Sequence, residues 1–186
     1  MAIDVKKMLS DALINICDEK PLAKATVQDI VRKAGTSRQT FYNHFRDKND
    51  LISWTYFTRI TGDMRAIDGD CGLYGFVYDA HRYCVEHKRF FMQACALQGQ
   101  NSLREYMLRH NYENYLNLII EKHGEGVLTD ELLWAIEFNA CGAICMHLKW
   151  VQDGMTLAPE TKARYVVDCI PEILRRYLPV GPTDAG

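Results

Sequence analysis

Residues 26–52 read TVQDIVRKAGTSRQTFYNHFRDKNDLI, and the spacing of their apolar and small residues decides the fold. Thr26 stands before Val27, Ile30, Val31 and Ala34, an apolar stripe at helical intervals. Asp29, three positions on, completes a capping box with Thr26. Gly35 supplies a residue that can take positive φ where this helix must stop. Ser37 is a fresh N-cap straight afterwards, and Phe41 and Phe45, four apart, share one face of the next helix. Arg38, Gln39, Tyr42 and Asn43 are left on the opposite face. Upstream, Val5, Met8, Leu9, Ala12, Leu13, Ile16 and Cys17 recur as the stripe of a first helix, which Pro21 ends. Three short helices with a tight glycine turn between the second and third form a helix-turn-helix.

The chemistry of the outward face suits DNA. Residues 38–44 span roughly 10 Å at about 1.5 Å per residue, which fits a major groove about 12 Å wide. Arg38 can bridge O6 and N7 of guanine, and Gln39 can bridge N6 and N7 of adenine. Tyrosine and threonine hydroxyls suit phosphate oxygens, which position the protein without specifying sequence. Lys48 begins a fourth helix, capped by Asp47 with Asp50 at its third position. An ammonium beside free backbone N–H groups there is expected to hold another phosphate.

Helical periodicity continues to the end of the chain, with no strand and no internal repeat. The fourth helix is expected to run through Leu51 and Trp54 to about Arg65. The DGDCG run at 68–72 reads as a linker. Further helices are expected from about Tyr74 to Glu86, from Arg89 to Leu97, from Ser102 with Glu105 as a capping box to His123, and from Thr129 to Gly154. Pro159 opens the last helix, and Pro171 is expected to kink it. The fold class is therefore all-α. The expected division is a helix-turn-helix head over 1–47, a connecting helix over 48–67, a larger helical effector and dimerisation part over 68–178, and a frayed tail over 179–186.

Composition agrees with this division. The 186 residues are 48% hydrophobic and 25% charged, enough for a sizeable core. The net charge of −2 hides a basic head: residues 1–50 carry nine Lys and Arg against seven Asp and Glu. Seven cysteines in no framework spacing read as reduced thiols. No apolar run approaches a membrane span and no leader composition opens the chain, so a cytoplasmic bacterial protein without membrane association is expected.

The motif GTSRQTFYNHFRDKNDL resembles the DNA-binding signature of the TetR/AcrR family of transcriptional regulators, and the likeness covers about residues 8–55. The resemblance implies a two-part helical subunit in which Arg38 and Gln39 touch bases. Thr26, Thr36, Thr40, Tyr42, His44 and Lys48 would contact or approach the phosphate backbone, with Ser37 and Asn43 on the same surface. Phe91, the GQNS run at Gly99–Ser102 and KWVQDGM at Lys149–Met155 resemble one subgroup. It includes regulators of dihydroxyacetone-kinase operons, some of them activators that answer to a protein partner.

Two functional readings stay open. In the first, a homodimeric repressor on a palindromic operator answers to a small molecule held in an aromatic cavity among the middle helices, as the family implies. His81, Tyr106, His110, Trp134, Phe138 and Cys141 are the candidates to line it. In the second, the C-terminal half docks a partner protein and has no small-molecule effector. An enclosed cavity above about 300 Å³ favours the first, and a filled core with an exposed apolar patch favours the second.

Dimerisation is expected through two stripes. Ile144, Leu148 and Val151, with His147 beside them, form one; Val166, Ile170, Ile173, Leu174 and Tyr177 form the other. Cys141, Cys145 and His147 lack a fourth ligand for zinc, and the small residues Ala140, Gly142 and Ala143 around them favour close helix packing. Neither a metal nor a cofactor is expected. No Ser-His-Asp spacing, phosphate loop or carboxylate pair points to an enzyme.

Overall fold

A computed structural model describes residues 4–61, 72–97 and 102–180, and every regular element among them is helical. The first helix, α1 (Val5–Glu19), begins where the Asp4 carboxylate accepts from the Lys7 N–H. Its inward stripe buries Leu9, Ala12, Leu13, Ile16 and Cys17. A 3₁₀ turn at Leu22–Lys24, not anticipated from the sequence, follows Pro21.

Next comes α2 (Val27–Lys33), opened by a complete capping box. The Thr26 hydroxyl accepts from Asp29 N–H, and the Asp29 carboxylate accepts from Thr26 N–H at 2.9 Å. Its end is a Schellman closure: Gly35 sits at φ +66°, Thr36 N–H donates to Val31 C=O, and Gly35 N–H donates to Arg32 C=O. The short α3 (Arg38–Tyr42) starts at once, with the Ser37 hydroxyl accepting from Thr40 N–H at 3.0 Å. Asp47 caps α4 (Lys48–Tyr56), which continues as a π-turn over Phe57–Thr61. The expected linker at 68–72 lies almost wholly outside the described residues.

The C-terminal part is built from α5 (Gly72–Glu86), α6 (Lys88–Ala96), α7 (Leu103–His123), α8 (Asp130–Gln152), α9 (Pro159–Asp168) and α10 (Glu172–Arg175). Helix α5 packs chiefly on α9, and α7 on α8. Pro171 does more than kink the last helix. The chain stops helically at Asp168, and Pro171 becomes the N-cap of α10. The Arg175 guanidinium closes the gap by donating to Ile170 C=O at 2.9 Å and Val167 C=O at 2.6 Å. The start of the expected tail is tied down, because Pro179 C=O accepts from Leu73 N–H at 2.7 Å.

Two hydrophobic clusters hold the molecule. One gathers Leu9, Leu13, Ile30, Phe41, Phe45 and Leu51 from the head with Phe90, Phe91, Ile144, Leu148 and Val151 from α6 and α8. The other joins Leu73, Tyr115, Leu118, Ile119, Leu132, Ile136, Ala163 and Leu174. Burying each large aliphatic or aromatic side chain contributes about 1.5–3 kcal/mol. The head therefore shares its core with α6 and α8.

Candidate nucleic-acid interface

Phe41 and Phe45 fix how α3 is presented. Both are buried in the head, their rings 5.8 Å apart, and Phe45 meets Trp54 edge-on at 5.7 Å. With that face anchored, Arg38, Gln39, Tyr42 and Asn43 all project into solvent. Pairs one turn apart hold one another. Arg38 Nη2 donates to the Tyr42 hydroxyl at 3.4 Å, with its guanidinium 5.7 Å from the Tyr42 ring centre. Gln39 Nε2 donates to Asn43 Oδ1 at 3.1 Å. These contacts pre-align a guanidinium and a carboxamide, and both are exposed enough to be exchanged for base edges. Ser37 and Thr40 share a hydroxyl–hydroxyl bond of 2.9 Å at the start of α3, and His44 is exposed at its end.

The head is braced beneath this surface. Asp29 accepts from Lys20 at 2.8 Å and Arg32 at 3.0 Å. The Lys20 ammonium, then the Thr26 backbone and side-chain donors, hold its carboxyl far below the ordinary range. Thr26 is exposed, yet its hydroxyl also donates to Asp29 at 2.7 Å and so serves the cap first. Thr36 is half-buried in the turn.

Lys48, expected to hold a phosphate, is engaged within the head. Its ammonium donates to Leu22 C=O and Ala25 C=O, both at 2.8 Å, and so closes the 3₁₀ turn. Leu22 C=O also accepts from Ala25 N–H at 3.1 Å, and partial burial lowers the lysine's pKa. Above them, Gln93 of α6 accepts from Leu22 N–H at 2.6 Å and donates to Cys17 C=O at 3.3 Å.

The ligand candidates do not converge. His81 lines a small cavity with His147 and Lys162. Tyr106 and His110 stack on one another at 5.1 Å, and His110 meets Phe57 edge-on at 4.5 Å. Trp134, Phe138 and Cys141 lie on the outer face of α8, the first two 72% and 73% exposed. They do not line the cavity that holds His81, because α8 turns its other face to the core.

Most of the expected dimer stripes lie against the subunit's own core. Ile144, His147, Leu148 and Val151 are buried, as are Ile170 and Leu174, while Val166, Ile173 and Tyr177 pack against the second cluster. Val166, Ile173 and Tyr177 stay partly exposed. The open face of α8 instead carries Trp134, Phe138, Cys141, Cys145 and Met146 at helical spacing. Among the described residues no group of three or more His, Cys, Asp or Glu could hold a metal ion, and no helix is long and apolar enough to cross a membrane.

A buried aromatic hinge under an exposed Arg-Gln-Tyr-Asn surface, reached through a glycine turn, defines a helix-turn-helix DNA-binding protein. The family model described as "Bacterial regulatory proteins, tetR family" matches residues 10–53, and "Transcriptional regulator C-terminal region" matches residues 73–171. The chain belongs to the TetR family: it is a DNA-binding transcriptional regulator, not an enzyme. Over 58 residues it is 54% identical to the uncharacterized HTH-type transcriptional regulator YvdT of Bacillus subtilis, a match spanning 31% of this chain and 30% of that one. Over 151 residues it is 25% identical to the HTH-type dhaKLM operon transcriptional activator DhaS of Lactococcus lactis, covering 77% of each. A solved structure of a dihydroxyacetone kinase operon activator, DhaS, has the same fold. Its TM-score is 0.68 at 18% identity, over 95% of this chain and 99% of that one.

Proposed function

We propose that the protein acts as a homodimeric transcriptional activator on a palindromic operator, and that a partner protein rather than a drug-sized effector controls it. The observation that carries this is the filled C-terminal core. The cavity among its middle helices measures about 80 Å³, whereas small-molecule sites run from about 300 Å³ upward. Similarity to an operon activator along most of the chain supports the same reading.

Reading is assigned to Arg38 and Gln39 at base edges. Ser37, Thr40, Tyr42, Asn43 and His44 flank them toward the backbone, and Thr26 and Thr36 approach it from α2 and the turn. One five-residue helix reads too few base pairs for specificity, so two heads about 34 Å apart on successive turns are required. The exposed face of α8 supplies the seam: contiguous apolar surface of this kind marks an interaction site, and a two-fold axis lets one patch serve both subunits.

Transcript levels from the promoter beside the protein's own gene test the sign. Deleting the gene should lower the transcript. A rise on deletion would make the protein a repressor and overturn the reading.

A further inference from the structure

The open face of α8 carries two thiols. Cys141 and Cys145 stand one turn apart and both are exposed, although a reduced cysteine is ordinarily among the most buried of residues. Trp134 and Phe138 precede them on that face, and Met146 follows, all three well exposed. Positions 134, 138, 141 and 145 advance by four, three and four residues, the stepping of a helix that packs along another helix. Gly142 lies between the thiols and is exposed as well, and a Cβ added there would meet nothing within 4 Å. Glycine weakens a helix interior, and no neighbour among the described residues requires it. It lowers the surface of α8 beside Cys141, where a second helix backbone can come close.

Helix geometry decides what these thiols can do. Residues four apart on a helix hold their Cβ atoms about 5–6 Å apart, whereas a disulfide needs about 3.5–4.5 Å. Cys141 and Cys145 therefore cannot close on each other while α8 stays helical. A two-fold seam doubles the pair, and the residues nearest its axis meet their own copies. Helix α8 runs from Asp130 to Gln152, so Cys141 stands at its midpoint. Two antiparallel copies overlaid along their length bring the axis to the thiol pair. Helix axes roughly 8–10 Å apart, with Cα atoms at a radius of about 2.3 Å, leave facing Cα atoms roughly 3.4–5.4 Å apart. That range overlaps the span of about 4.4–6.8 Å between the Cα atoms of a disulfide.

We propose that the Cys141–Cys145 pair is a site of oxidative cross-linking, at which hydrogen peroxide joins the two subunits of the dimer through a disulfide between their α8 helices. The site rests on the α8 seam proposed above. A thiolate of one subunit attacks a peroxide oxygen, and the O–O bond breaks to give a sulfenic acid and hydroxide. The hydroxide takes the proton that the thiol gave up and becomes water. A thiol of the partner subunit then attacks the sulfenic sulfur, the S–S bond forms and a second water leaves. Two thiols are oxidised and one peroxide is reduced to two water molecules. The cross-link frees the dimer from its dependence on concentration, so operator binding persists on dilution.

The test treats the reduced full-length protein with a graded series of hydrogen peroxide, blocks the remaining thiols with N-ethylmaleimide and separates the chains by non-reducing electrophoresis. Light scattering on the untreated sample gives the oligomeric state. Expected is conversion of most chains to a species of twice the mass, reversed by dithiothreitol, whose joined peptides contain residues 141–145. The Cys141→Ser, Cys145→Ser double variant should lose that species, and Cys169→Ser, which alters another exposed thiol, should keep it. Both replacements are at exposed positions, so the fold is retained. A cross-link that survives in the double variant, or none in a sample that scatters as a dimer, would overturn the thiol site alone. A monomer before oxidation would overturn the α8 seam, and the site with it.

Discussion

Gln93 Oε1 accepts from the backbone N–H of Leu22 at 2.6 Å, so a side chain of α6 completes the turn on which the reading head rests. The same carboxamide donates to Cys17 C=O at the end of α1. One residue of the C-terminal part thus clasps two backbone groups of the head. The Gln93→Leu substitution removes both bonds and strands a partly buried N–H. Chemical denaturation should show a loss of about 1–2 kcal/mol, while competition among operator variants should show unchanged base preference. A changed preference would place Gln93 in sequence reading instead.

Arg38 and Gln39 are the groups on which specificity is expected to rest. Replacing either by Ala should cost about 1–3 kcal/mol at the cognate operator and relax discrimination at one position. Binding titrations over a panel of single-base operator variants measure this. An unaltered ranking of the panel in both variants would remove them from the base-reading surface.

Lys48 separates two roles cleanly. As a closure of the 3₁₀ turn, its replacement by Met should lower folding stability by about 1–2 kcal/mol and leave the salt dependence of DNA affinity as it was. Were the ammonium on a phosphate, the slope against log salt would fall by about one. Denaturation and DNA binding across a salt series, on the same preparation, distinguish the two.

The His81–His147 pair sets an acid limit. Burial and the nearby Lys162 charge drive both pKa values down from 6.5, His81 to about 2 and His147 to about 3. Above 6.5 both imidazoles are neutral folded or unfolded, so pH has no leverage through them. Below it the unfolded chain takes up two protons that the fold refuses, and stability falls as pH drops. The slope from the pair is up to about 2.7 kcal/mol per pH unit. Denaturant midpoints between pH 7 and 5 should decline in wild type and decline less in a His81→Gln, His147→Gln double variant.

The outer face of α8 should carry self-association. Charged replacements at Trp134 and Phe138 cost little within the subunit, since both side chains already face solvent. Trp134→Glu with Phe138→Glu should yield a folded monomer by light scattering, with much weaker binding to a two-half-site operator. A variant that remains dimeric would move the seam elsewhere.

How much of this the sequence disclosed follows from the range of each interaction. The caps at Thr26, Ser37, Asp47, Ser102 and Thr129 bond to residues three positions away, so a local pattern reveals them. The role of Phe41 and Phe45 was legible for the same reason, and so was the outward face of α3. The Lys48 contacts within the head left no local signal, because Ala25 and Leu22 lie 23 and 26 positions upstream, where no spacing rule reaches. The stripe of Ile144, Leu148 and Val151 fills a core of its own subunit, and the exposed side of α8 went unremarked because that helix is apolar on more than one side. Periodicity finds a stripe without saying whose core it fills. Lys162 did leave a mark: it precedes Ala163, Val166, Val167 and Ile170 on one stripe, a lysine where an aliphatic residue is the rule.

Helix α8 gives Leu132, Ile136 and Ala140 to one hydrophobic cluster and Ile144, Leu148 and Val151 to the other. It is a shared wall rather than a bridge. Neither body can melt without stripping the other of a side, so heat meets a single cooperative unit, and the head is not a fragment that can be cut free and kept folded.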